Sequence, residues 1–166
     1  MPSTYTLISS VTVGSGGASS IDFTSIPATY TDLEILVSGR TTGSGNGINI
    51  TFNSNTSGYT NNAVQGNGAS ISFYGTYNRN AGMFGYSGDS ANSFGSTRIY
   101  ITNYANSINK SYLADAVSEN NAATAYMNLV AGLWSNTSAI TTISLAPMDG
   151  TLIQYSTAYL YGISNA

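Results

Sequence analysis

The chain has 166 residues, a formal net charge of −3, four basic and seven acidic side chains, and neither histidine nor cysteine. Histidine is the usual acid–base group near neutral pH, histidine or cysteine completes the common nucleophile–base pairs, and the two dominate zinc sites, so these chemistries are excluded. What the chain has instead is 13 tyrosines and 63 serines, threonines and asparagines, an inventory suited to presenting neutral polar and aromatic surface.

The carboxylates are Asp22, Asp32, Glu34, Asp89, Asp115, Glu119 and Asp149. Two of them would suffice for a glycosidase, which needs only a suitably spaced carboxyl pair. The expectation is nevertheless a protein with no enzymatic activity, no cofactor and no metal. Arg40, Arg79, Arg98 and Lys110 are scattered and form no basic stripe for phosphates, so nucleic acid is not an expected partner. No apolar run approaches the roughly 20 residues of a membrane span, and the N-terminus lacks the basic and apolar regions of a signal peptide. Synthesis in a cytoplasm, with no membrane partner, is expected. A chain of this length buries about 70% of the surface exposed by its unfolded form and is read as a single domain over 1–166.

In chain order, Thr4 to Val13 alternates polar and apolar residues, and Asp32 to Arg40 places Leu33, Ile35 and Val37 on one face against Asp32, Glu34 and Ser38. Between them, Val13 to Gly17 reads as a turn. Thr41 to Gly47 is a second Gly-rich turn, followed by a strand over Ile48 to Phe52. From Asn53 to Ser96 the composition is Asn, Gly, Ser, Tyr and Phe. Only Ile71 to Tyr74 there is read as a strand, so long loops are expected over the rest. Tyr77, Phe84 and Tyr86 in this stretch are the candidate partner-contact residues. Tyrosine offers large, fairly rigid area with a hydroxyl, and the flanking Gly, Ser and Asn adapt around it. The bland alternative is that these rings cap the open ends of the fold.

Downstream, Thr97 to Tyr104, Ser111 to Val117, Ala125 to Trp134, Ile140 to Leu145 and Ala158 to Ile163 repeat the period of two. Ala122 to Trp134 has helix-favouring residues, but Gly132 and its strand-like neighbours decide for a strand. Ser118 to Ala123 and Ser135 to Ser138 are hairpin candidates. About nine to ten strands with no alternating helices predict an all-β domain, an antiparallel β-sandwich of jelly-roll type, with a closed barrel as the alternative.

Several short patterns carry no chemistry. Asn49-Ile50-Thr51, Asn55-Thr56-Ser57, Asn109-Lys110-Ser111 and Asn136-Thr137-Ser138 match a glycosylation pattern that an Asn/Ser/Thr-rich chain contains by chance. Asp22, Asp32 and Glu34 lack a calcium-binding loop, and Gly43-x-Gly45-x-Gly47 precedes no helix. Trp134 is read as a core or strand-end anchor in preference to a sugar platform.

Thr4-Tyr5-Thr6-Leu7-Ile8-Ser9-Ser10, Ile21 to Leu33 (IDFTSIPATYTDL), Asn109-Lys110-Ser111-Tyr112, Leu129 to Trp134 (LVAGLW) and Tyr159 to Ile163 (YLYGI) together resemble small virion structural proteins of tailed bacteriophages. The resemblance spans both ends and much of the second half of the chain, and none of its phrases is a catalytic signature. It implies a non-enzymatic, oligomeric β-domain, commonly a trimer, on the outer surface of the virion. The leading expectation is a capsid decoration (cement) protein whose partners are the major capsid protein and copies of itself. Its rivals are a tail-fibre or baseplate domain binding a host glycan and a free carbohydrate-binding module.

Overall fold

The computed structural model describes residues 4–76, 79–120 and 125–164. Among them, twelve strands run in chain order: β1 (Tyr5–Thr12), β2 (Ile21–Phe23), β3 (Asp32–Gly39), β4 (Gly47–Phe52), β5 (Tyr59–Gly66), β6 (Ile71–Thr76), β7 (Asn80–Met83), β8 (Gly95–Ile101), β9 (Lys110–Ser118), β10 (Tyr126–Trp134), β11 (Ile143–Pro147) and β12 (Thr157–Ile163). They form two antiparallel sheets. The larger has eight strands in the order β1-β12-β3-β8-β9-β10-β5-β6, and the smaller has four in the order β2-β11-β4-β7.

The period of two read in the sequence is what builds the sandwich. In β3, Leu33, Ile35 and Val37 turn inward. In β9, Tyr112, Ala114 and Ala116 do the same, while Leu113, Asp115 and Val117 turn out. The inward residues meet Ile21, Phe23, Ile48, Ile50, Phe52, Ile143 and Leu145 of the small sheet in one buried cluster. Its densest point is aromatic. Trp134 lies 5.5 Å from Phe52 and 6.0 Å from Tyr59, centroid to centroid, and Tyr112 meets Phe52 edge-on at 5.9 Å. Gly132 is Tyr112's partner across the β9–β10 ladder, and the tyrosine ring occupies the space a side chain there would need. Trp134 is therefore a core anchor, as its sequence context indicated.

Three strands fall outside those expected, namely β2, β5 and β7, and two of them occupy the stretch expected to be loop-rich. In β5 the sequence Tyr-Thr-Asn-Asn-Ala-Val-Gln-Gly hides its alternation because Asn61, at an inward position, is polar yet buried. Ladders to β10 on one side and β6 on the other hold it. In β7 all four residues are buried between the sheets, so no alternation exists to be read. The irregular parts of this stretch shrink to 53–58, 67–70 and 84–94 among the described residues.

Three tyrosines give the fold an alkaline limit. Burial pushes the Tyr59 phenol up to about 12, against the lowering effect of the Phe52 N–H that it accepts at 2.7 Å. Burial also raises Tyr112, and on the outer surface a hydrogen bond to Asp32 takes Tyr100 up to about 12. An unfolded chain loses these protons near pH 10. Above that the unfolded state holds fewer protons than the folded one, so stability falls as pH rises. The urea midpoint, followed by circular dichroism, is expected to be level to about pH 9 and to drop between about pH 10 and 12.

Candidate functional site

The small sheet covers only the inner face of the large one. On the outer face, ladder register sorts the side chains into rows that cross the strands. One row runs Ser96, Val117, Met127, Gly66, Ile71, and the next runs Arg98, Asp115, Leu129, Val64, Phe73. Toward β9, β10, β5 and β6 the rows become apolar. Phe73 is 81% exposed, Ile71 68%, Met127 65%, Leu129 52% and Val117 47%. Isolated exposed apolar residues are ordinary, whereas a contiguous patch is the kind of feature found at binding surfaces.

The patch has relief. Gly66, flanked by Met127 and Ile71 in its row, leaves a dip, and a groove of about 440 Å³ runs from there over Val64, Leu129 and Val117 to Arg98. Phe73 stands beside it on the next row. Charge is confined to the groove's far end, where Arg98 hydrogen-bonds Glu34, an interaction that raises the guanidinium pKa, and faces Asp115 across the β8–β9 ladder. Tyr100 donates to Asp32 at 2.6 Å, and the Asn103 N–H reaches the same carboxylate at 2.7 Å. Asp32 and Glu34 thus hold neighbouring groups in place on the β3 surface.

The patch ends at a sheet edge. The β5–β6 hairpin closes with the Asn67 N–H donating to the Ser70 carbonyl at 3.2 Å. Hydrogen-bonded pairs alternate along an antiparallel ladder, so Ser72 and Tyr74 bond β5 while the backbone groups of Ile71, Phe73 and Gly75 point to the open edge. The segment Asn67 to Thr76 contains no charge, no proline and no bulge, the usual protections of such an edge. The opposite edge, β1, does carry a register shift between Leu7 and Ser9.

Of the three contact residues expected from sequence, the two that are described, Phe84 and Tyr86, do not lie on this patch. Tyr77 lies outside the described residues. Phe84 corrects the expectation: it is fully buried in the core, its ring filling the space over Gly39, so it offers no surface to a partner. Tyr86 is half-buried in the loop between β7 and β8, with its ring against Gly88. That loop is tied down from below. Asp89 accepts from the Tyr86 N–H at 3.0 Å, Ser118 Oγ at 2.9 Å and Asn120 Nδ2 at 3.1 Å. Arg40 donates to the carbonyls of Asp89, Ser90 and Ser93 at 2.9–3.1 Å. Among the described residues no group of three or more acidic side chains is placed to hold a metal ion.

The exposed patch was not anticipated, although a signal for it exists. Ser111 to Val117 and Ala125 to Trp134 are apolar at both phases of the period, with Leu113, Val117, Met127 and Leu129 out of step with Tyr112, Ala114 and Val130. A strand with two apolar faces in an antiparallel sheet calls for cover on both sides. Set against known protein families, curated proteins and solved structures, the chain matches none.

Proposed function

We propose that this chain is a non-enzymatic structural protein of a tailed-phage virion. In this reading it is a decoration protein on the outside of the capsid shell, docking through the outer face of its large sheet onto the major capsid protein and its own copies. The observation that carries an associative role is the contiguous apolar patch from Val117 to Phe73, whereas toward β1 the outward positions mix Leu7, Leu36 and tyrosines with Asp32, Glu34 and serines. The phage setting draws on the sequence resemblance. Bound to an assembled lattice, such a protein stabilises it by mass action, because only the assembled state offers the site.

The patch from Val117 to Phe73 is built of apolar side chains, with Arg98 and its ion pair at one end, so attachment is expected to be insensitive to salt, which screens charge but not apolar contact. Quantitative mass spectrometry and sedimentation of purified particles test this. Hundreds of copies per particle, retained in roughly 1 M salt, are expected. Release in moderate salt counts against the apolar docking.

A second reading, a tail-fibre or baseplate domain that binds a host glycan, draws on the opposite half of the same face. There Tyr5 and Tyr161 meet edge-on at 6.5 Å and Tyr159 is 40% exposed. Rings of this kind stack on sugar faces. Six to a few dozen copies per particle would favour it, with binding on a glycan array.

A further inference from the structure

We infer that the patch docks first against a second copy of itself, face to face about a two-fold axis, with Phe73 of each chain seated in the groove over Gly66 of the other. This deepens the reading above and depends on the outer face being the working surface.

Three features point to an identical partner. The first is shape. Phe73 is the most exposed apolar side chain of the described residues, and a groove floored by a glycine lies beside it on the same face. A knob next to a hole is self-complementary: a two-fold axis lying in the interface, midway between them, carries each knob into the other chain's hole. The second is area. At about 200 Å² for a whole residue, Phe73, Ile71, Met127, Leu129, Val117 and Leu113, exposed by 43–81%, present roughly 700 Å², close to the ~800 Å² each partner contributes to a standard stable interface. The third is charge. The chain carries a net −3, and a patch bearing charge of one sign would repel its own copy. Here the apolar positions from Val117 to Phe73 hold none, and charge stands only at the border, with Arg98, Glu34 and Asp115 at one end and Glu119 at the other.

Packing the face also places cover over the outer side of β9 and β10, the strands whose two apolar faces ask for it. The resulting two-sheet stack would resemble the sandwich core inside each chain, with large sheet against large sheet.

The experiment is sedimentation velocity on the purified full chain from roughly 1 to 200 μM, the range where an interface of this size associates. A reversible dimer is expected. Phe73→Asp should weaken it at least thirtyfold, since Phe73 would be a central aromatic anchor. Gly66→Leu fills the groove while adding apolar surface; steric exclusion should weaken the dimer about tenfold or more, whereas general stickiness would strengthen it. Its Cβ meets Met127 Cγ at 3.3 Å, so unchanged circular dichroism must accompany the result. Met127→Glu, at a 65% exposed position, provides a third variant that leaves the fold intact. A monomer throughout the range, a trimer, or a dimer indifferent to all three changes overturns the inference. So does a monomer that instead co-sediments with phosphatidylcholine vesicles. Binding of the same variants to particles keeps the two claims apart. Particle binding lost in Phe73→Asp while the parent chain is monomeric leaves the virion role standing and removes the dimer. A Phe73-dependent dimer with no affinity for particles does the reverse.

Discussion

Replacing Trp134 with alanine is expected to cost about 3–5 kcal/mol, a large fraction of the 5–15 kcal/mol that holds a domain of this size together. Trp134 closes β10 against the small sheet, 1% exposed, with Phe52 and Tyr59 against its ring and Tyr112 beyond Phe52. Truncation leaves a cavity that these three rigid rings cannot collapse into, so the lost transfer energy and the lost contacts add. Among the described residues the indole Nε1 has no hydrogen-bond partner, so the contribution is packing, and Trp134→Phe should recover much of it. Urea unfolding followed by far-ultraviolet circular dichroism measures the change. The control is Leu129→Ala, which removes a smaller apolar side chain from the open face, where it is 52% exposed. It should alter stability by less than about 1 kcal/mol. A Leu129 effect as large as that of Trp134 would mean that the outer face is already covered within the single chain.

The second large effect is expected at Arg40. The residue is 8% exposed, and its guanidinium is the hub under residues 84–94, donating to three carbonyls and to Ser93 Oγ. Hydrogen bonds from a charged donor contribute more than neutral ones, and Arg40→Met removes four of them, among them the donor to the buried Asp89 carbonyl, at a cost of about 3 kcal/mol. Arg40→Lys should recover only part, because an ammonium cannot span a planar set of acceptors as the guanidinium fork does. Thermal melting measures the loss. Limited proteolysis should show new cleavage between Phe84 and Phe94, the segment that Arg40 and Asp89 tie down together. Cleavage confined to other loops would assign Arg40 a different role.

These two residues also show what the sequence could and could not convey. The aromatic core was legible because Val130, Leu133 and Trp134 lie in a strand bounded by a turn, and a strand's period of two is a local property. The anchoring by Arg40 was not. Its acceptors are backbone carbonyls some 50 positions away, and any residue type has such a carbonyl. The same reasoning explains Phe84. Gly-rich flanks made it look like an adaptable surface aromatic, yet it is Gly39 on β3 and Gly95 on β8, distant in sequence, that leave room for its ring and its backbone. In β5, buried Asn61 masked a strand that two neighbouring ladders impose. The outer patch was readable in principle from the doubled apolar phase of β9 and β10. Its continuation through Gly66 and Phe73, however, depends on which strands lie side by side. That order, β9-β10-β5-β6, brings residues 117 and 71 onto one row, and no local pattern encodes it.

The central claim is that the outer face of the large sheet is covered when the protein is at work on its particle. Three methionines make a direct test by oxidation footprinting. Met127 lies on the face and is 65% exposed, Met148 is 55% exposed away from it, and Met83 is 3% exposed in the core. In the dilute, dissociated chain Met127 and Met148 should oxidise together and Met83 should stay protected. On the intact particle Met127 is expected to become as protected as Met83 while Met148 remains reactive. Equal oxidation of Met127 and Met148 on the particle would leave the face open to water and contradict the account.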